Sequence, residues 1–307
     1  MARVNIYEEQ LRGLPKKERK ALSREFARIQ REDQQRRKKR NTIILRTSLI
    51  TVGVALLAVG TLVTVNTVRA GLAGPANMAS DGIVVVGDGT NVTATKSGAL
   101  AVGQAPTPSV LDTTNGILTV VEYVDYSNAD AATFETTNGA AIQGWVKQGY
   151  ATLEIHPVAL SSTDGNDPGA RAANAIACVA NTSPDSVLAV HNALVADQAT
   201  IASAGLSNAD LVNLVTTAGV TDAAIASCIT SNGFANWVSD STARAKASVP
   251  NSDTTSLTST PLVLVDGMAY TGAVGDQTAF QTFVTDTFTK NTPASTATPT
   301  PTPTPTP

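Results

Sequence analysis

Residues 117–135 read ILTVVEYVDYSNADAATFE, and the change of character halfway through decides the fold. Ile117, Leu118, Val120, Val121, Tyr123 and Val124 form a β-branched and aromatic run too short for a helix of its own, which predicts a buried central strand. The run then stops. Asn128 is a first-rank helix N-cap, Ala129 and Ala131 favour helix, and Asp130 falls in the first turn, where the positive end of the helix dipole favours a carboxylate. The chain is therefore expected to pass from strand to helix at Ser127-Asn128.

Downstream, Ala151 to Pro157 alternates as a second strand with Leu153 and Ile155 on one face. Helical segments are expected at roughly Pro168 to Asn181, Pro184 to Gln198, Ser207 to Ala218, Thr221 to Ser231 and Gly233 to Ala247, with caps at Ser207 and at Thr221-Asp222. A last β-β-α unit follows: Leu262 to Val265, an Asp266-Gly267 turn, Met268 to Thr271, and a helix from Asp276 to about Thr289.

Residues 125–135, DYSNADAATFE, resemble the D-[FY]-x-C-P-x-C-x-x-F-E signature of DsbA-like thiol-disulfide oxidoreductases. Asp125, Tyr126, Phe134 and Glu135 are in register. Asn128 stands at the nucleophilic cysteine, Ala129 at the proline and Ala131 at the resolving cysteine. Residues 259–267, STPLVLVDG, are similar to the family's second landmark, a Thr-Pro pair opening a strand. The resemblance covers roughly Gly116 to Lys290. It implies an α/β thioredoxin-like fold over 111–290 with an α-helical insertion at about 166–247. It also implies a cis peptide before Pro261, facing the turn, and a peptide groove formed by Ser127, Asn128, Thr260 and Pro261.

Disulfide exchange needs a thiolate to attack sulfur and a second thiol to resolve the mixed disulfide. Asn128, Ala129, Asp130 and Ala131 can do neither, so no catalytic residue is expected at the turn. Without a cysteine to serve, Asp125 is expected to be a hydrogen-bonded structural residue, Glu135 being the other carboxylate candidate. The two cysteines, Cys178 and Cys228, lie in the helical block and are not spaced as C-x-x-C; a structural disulfide is the expected reading and a relocated redox pair the rival. His156 and His191 are expected to be structural. No recognised metal motif, phosphate loop or serine-nucleophile elbow is present, and no metal or cofactor is expected.

The charge is divided. Residues 1–46 hold 15 of the 22 Lys and Arg and 6 of the 25 Asp and Glu, a local charge of +9, against −12 for the remainder. Lys16 to Arg40 reads as a basic helix with Leu22, Phe26 and Ile29 on a narrow apolar stripe, suited to an anionic membrane surface; it has no aromatic interleaving, and no nucleic-acid partner is expected. Thr47 to Val68 is free of charge and long enough, at about 33 Å as a helix, to cross a bilayer. The flanking charges place the N-terminus in the cytoplasm. The expected organisation is thus a basic cytoplasmic segment (1–46), one transmembrane helix (47–68) acting as an uncleaved signal anchor, a linker with a β-hairpin (69–110), the extracytoplasmic domain (111–290), and a disordered Thr/Pro-rich tail (291–307). The hairpin, with Asp88-Gly89 as its turn, either joins the domain's sheet or is carried beside it.

The function expected from these features is a membrane-anchored, single-pass, redox-degenerate module of the cell envelope, a peptide-binding or chaperone-like protein whose partners are extended segments of envelope proteins. Two alternatives stay open: a thiol-disulfide oxidoreductase acting through Cys178 and Cys228, and a structural scaffold tethered by the tail.

Overall fold

The computed structural model describes residues 74–101, 103–111, 116–161 and 167–291. The basic segment, the apolar run 47–68 and the Thr/Pro tail beyond Asn291 lie outside the described residues. Strands β1 (Ile83–Gly87), β2 (Val92–Ala94) and β3 (Leu118–Val124) precede helix α1 (Ala129–Phe134), a π-turn at Glu135–Gly139, helix α2 (Ala140–Lys147) and strand β4 (Ala151–Pro157). The helical block consists of α3 (Pro168–Thr182), α4 (Val187–Ala196), α5 (Gln198–Ser203), α6 (Asn208–Thr217), α7 (Ala223–Thr230) and α8 (Ala235–Ala247). Strands β5 (Leu262–Val265) and β6 (Met268–Ala269) and helix α9 (Gln277–Asn291) follow.

The strands make one sheet in the order β2-β1-β4-β3-β5-β6. β3 and β4 are parallel, and a parallel pair needs a crossover, which α1 and α2 supply. All other pairs are antiparallel. Side chains alternate between the faces of a strand, and both faces of β3 are covered. Val120 and Val124 belong to the larger core with Phe134, Ile142 and Phe280. Tyr123 points into a smaller core with Val158, Ala245, Val249, Leu257 and Leu264. Two covered faces explain why β3 reads as an almost unbroken apolar run.

The hairpin joins the sheet: β1 pairs with β4, Ile83 opposite Ile155 and Val85 opposite Leu153. Gly87 at its end is required by packing, because a Cβ there would lie 2.1 Å from the Val146 carbonyl oxygen. The β5–β6 turn has both central residues at positive φ, 47° at Asp266 and 83° at Gly267, the two-residue geometry that Asp-Gly favours. Upstream of β1, Asp81 accepts hydrogen bonds from Arg244 Nε at 2.6 Å, Arg244 Nη2 at 2.8 Å and Trp237 Nε1 at 3.2 Å, which fixes this segment to α8.

Helix α3 forms the centre of the block, with Ala172, Ala173, Ala175, Ile176, Ala177, Cys178, Val179 and Ala180 all 0 % exposed. Its alanines let neighbouring helices approach closely. Cys178 on α3 and Cys228 on α7 form a disulfide with Cα atoms 5.8 Å apart. One expected helix is divided, and β6 ends at Ala269, short of the expected Thr271. The segment expected as one helix from Pro184 to Gln198 is a 3-10 turn at Pro184–Ser186, then α4, then a break at Asp197, whose carbonyl accepts the Thr200 and Ile201 amides at 3.0 and 3.1 Å at the start of α5. The N-cap of α7 is Asp222 of the expected Thr221-Asp222 pair, accepting the Ala224 amide at 2.7 Å.

Candidate functional site

The β3–α1 junction is built by short-range hydrogen bonds. Asp125, 1 % exposed, accepts the Ser127 amide at 3.0 Å and the Ser127 hydroxyl at 2.6 Å on Oδ1, and the Leu160 amide at 2.8 Å on Oδ2. Its role is therefore to hold the turn. Asn128, in extended conformation, donates its own amide to the Asp125 carbonyl at 2.9 Å. Its Oδ1 accepts the amides of Asp130 at 2.7 Å and Ala131 at 3.3 Å. Ala129 and Asp130 are exposed and Ala131 is buried.

From the insertion, Gln198 Nε2 donates to the Ser127 carbonyl at 3.0 Å. Gly169 at the start of α3 lies against the same turn, where a Cβ would come within 2.6 Å of Asp125 Oδ1.

The Thr260–Pro261 peptide is cis. The antiparallel β3–β5 ladder ends with Tyr123 opposite Leu262, the residue that follows Pro261. The peptide thus precedes β5 at the end of the sheet where β3 runs into Asp125. Thr260 is buried, and its hydroxyl has no hydrogen-bond partner among the described residues.

Behind α1 the structure gathers residues that the sequence reading kept apart. Glu122 shares its face of β3 with Val120 and Val124 and is 1 % exposed; neither of its carboxylate oxygens has a partner with hydrogen-bond geometry. Glu135 enters from the π-turn and His191 from α4, with His191 Nε2 3.4 Å from Glu135 Oε1. One ligand atom from each of Glu122, Glu135 and His191 lies within 4.8 Å of the other two. The far side of the imidazole is fixed, with Nδ1 2.9 Å from the Tyr126 hydroxyl.

Burial, and after it the charge of Glu135, pushes the Glu122 carboxyl well above the usual carboxylate range. Burial opposes ionisation of Glu135 too, but the His191 ring beside it, when protonated, draws that carboxyl below its usual value. Burial also raises the Tyr126 phenol well above its ordinary value, helped by the charge of Glu135.

No motif spacing announces this group, since β3, the π-turn and α4 are distant in sequence. The signal available was Glu122, the one charge in the apolar run 117–124.

On the opposite face, His156 stacks on Tyr123 with centroids 4.3 Å apart and sits 3.1 Å from Glu154 Oε1. Cys178 is 0 % exposed and its sulfur is bonded to Cys228, so the described residues contain no free thiol.

Among solved structures the chain is similar to the thiol-disulfide oxidoreductase MdbA of Actinomyces oris, at 24% identity over 58% of this chain and 84% of that one, TM-score 0.47. It is also similar to oxidised DsbA of Mycobacterium tuberculosis (23% identity, 67% and 98% coverage, TM-score 0.47) and to oxidised BdbD of Bacillus subtilis (15%, 71% and 98%, TM-score 0.49). No curated protein matches the sequence. The family model described as thioredoxin matches residues 105–286. That match spans more than half of the chain, and the protein belongs to the thioredoxin family.

Proposed function

We propose that this protein is a membrane-anchored, extracytoplasmic thioredoxin-fold module that has lost the redox dithiol and holds extended polypeptide segments without covalent chemistry. The observation that carries this reading is the occupant of the helix start. A thiol there would be activated by the α1 amides; instead the Asn128 side chain consumes the amides of Asp130 and Ala131 as a cap. In this reading Thr260 and Pro261, which precede β5, form the other wall of the groove; the Thr260 hydroxyl has no hydrogen-bond partner among the described residues.

The anchor is proposed from the charge-free run 47–68 and its asymmetric flanks. No helix among the described residues is long and apolar enough to cross a membrane, and the run itself lies outside them. The oxidoreductase alternative through Cys178 and Cys228 requires attack at a sulfur that is 0 % exposed on the Cys178 side.

One experiment separates the readings. The full chain in detergent is given a model dithiol peptide, its disulfide form, and an unfolded polypeptide. The proposal expects no exchange above the uncatalysed rate, together with saturable binding of the polypeptide. Ala129→Trp, at an exposed position of the first turn, weakens that binding at least tenfold without changing the melting temperature. Turnover that disappears in Cys178→Ala establishes the oxidoreductase reading instead.

A further inference from the structure

The buried group behind α1 has the composition of a metal-binding site. Four of its polar atoms, both oxygens of Glu122, Oε1 of Glu135 and Nε2 of His191, have no hydrogen-bond partner among the described residues. They sit on side chains with relative exposures of 1 %, 8 % and 0 %. Two buried carboxyls and an imidazole nitrogen turned toward one another form a donor set that a cation can take up in place of protons. We propose that Glu122, Glu135 and His191 are three ligands of a divalent transition-metal site of the zinc class. This goes beyond the peptide-binding reading and does not depend on it.

The spacing of the donor atoms is compatible with metal ligands. Zinc–nitrogen and zinc–oxygen bonds of about 2.0–2.2 Å at tetrahedral angles place neighbouring ligand atoms about 3.3–3.5 Å apart. His191 Nε2 and Glu135 Oε1 are 3.4 Å apart and not aligned for a hydrogen bond. The third ligand atom, from Glu122, lies within 4.8 Å of both.

Two carboxylates and a neutral imidazole balance a dication, and one nitrogen among few ligands suits zinc or its neighbours better than calcium, which takes 6–8 oxygens. The supports beyond the ligands are also present. Tyr126 meets His191 Nδ1 at 2.9 Å, leaving Nε2 directed at the cluster, as outer partners of metal-bound histidines do. Glu135 opens the π-turn Glu135–Gly139, and Gly139 makes room for its side chain, since a Cβ there would lie 2.8 Å from Glu135 Oε2.

The full chain, purified in detergent and stripped by a chelator, is dialysed against Zn2+ and assayed for bound metal by mass spectrometry, with Co2+ as a spectroscopic probe. One Zn2+ per chain is expected, along with a visible Co2+ band that Zn2+ abolishes and Ca2+ does not. Glu122→Gln keeps the side-chain volume and is expected to lower Zn2+ affinity at least tenfold while the metal-free protein still melts cooperatively. Tyr126→Phe removes no ligand and should cost about 10–100-fold. Absence of bound Zn2+ above the dialysis blank overturns the proposal, as does retention that Glu122→Gln leaves unchanged.

Discussion

Asn128 Oδ1 lies 2.7 Å from the Asp130 amide and 3.3 Å from that of Ala131, so one side chain satisfies two of the free donors at the start of α1. These are the amides that would stabilise a thiolate in a cysteine-bearing relative, and here they stabilise the helix. Asn128→Ala is expected to lower unfolding free energy by about 1 kcal/mol in urea titration, and Asn128→Asp, which keeps an acceptor, by much less.

Asp81 is the attachment of the N-terminal segment to the helical insertion. It is 7 % exposed and receives three hydrogen bonds from Arg244 and Trp237. The Arg244 side chain is 39% exposed, so solvent screens part of the pair and the charge attraction alone is modest. Asp81→Ala leaves the buried indole N–H without its acceptor and should cost about 2 kcal/mol. Asp81→Asn keeps one acceptor and tolerates the positive φ of 69°, and should cost about half as much, read as a smaller shift in the urea midpoint.

The disulfide between Cys178 and Cys228 closes a 50-residue separation across α3 and α7. Removing it by the double substitution Cys178→Ala/Cys228→Ala is expected to destabilise the domain by about 3–4 kcal/mol in the chain-entropy account. The check is the difference in urea unfolding between wild type and variant, with peptide binding unchanged below the transition.

Glu154 sets a pH dependence. Burial raises its carboxyl, but the His156 charge, the 3.1 Å contact with His156 and the Ser80 hydroxyl outweigh burial and hold it below the ordinary value of 4.5. A carboxyl that is more acidic folded than unfolded adds stability that is fully present above its unfolded value and is lost as pH falls through the folded one. Melting temperatures of wild type and Glu154→Gln should therefore differ just above the ordinary value of 4.5, with wild type higher. The gap should close in acid below the ordinary value of 4.5.

Local chemistry explains what the sequence revealed. β4 spans Ala151–Pro157 as its alternation indicated, and the α1 cap and the Asp266-Gly267 turn lie where Asn128 and the Asp-Gly pair put them, because each is decided by a few adjacent residues. The break at Asp197 was hidden by helix-favouring neighbours on both sides, and the π-turn at Glu135–Gly139 has no sequence signature. The Glu122, Glu135 and His191 group was illegible for a different reason: three elements far apart in the chain meet only after the sheet and insertion have packed. The cis Thr260–Pro261 peptide was expected only through the resemblance, since nothing in the adjacent residues decides the isomer.

The central claim is that residues 128–131 keep the geometry of a thiol-disulfide turn after losing its sulfur. The most direct measurement restores the sulfur: Asn128→Cys, Ala129→Pro and Ala131→Cys are combined in the full chain and thiols are mapped by mass spectrometry after mild oxidation. The account predicts a disulfide between positions 128 and 131, formed while the 178–228 bridge stays intact. Two free thiols in a folded protein after the same oxidation would contradict it.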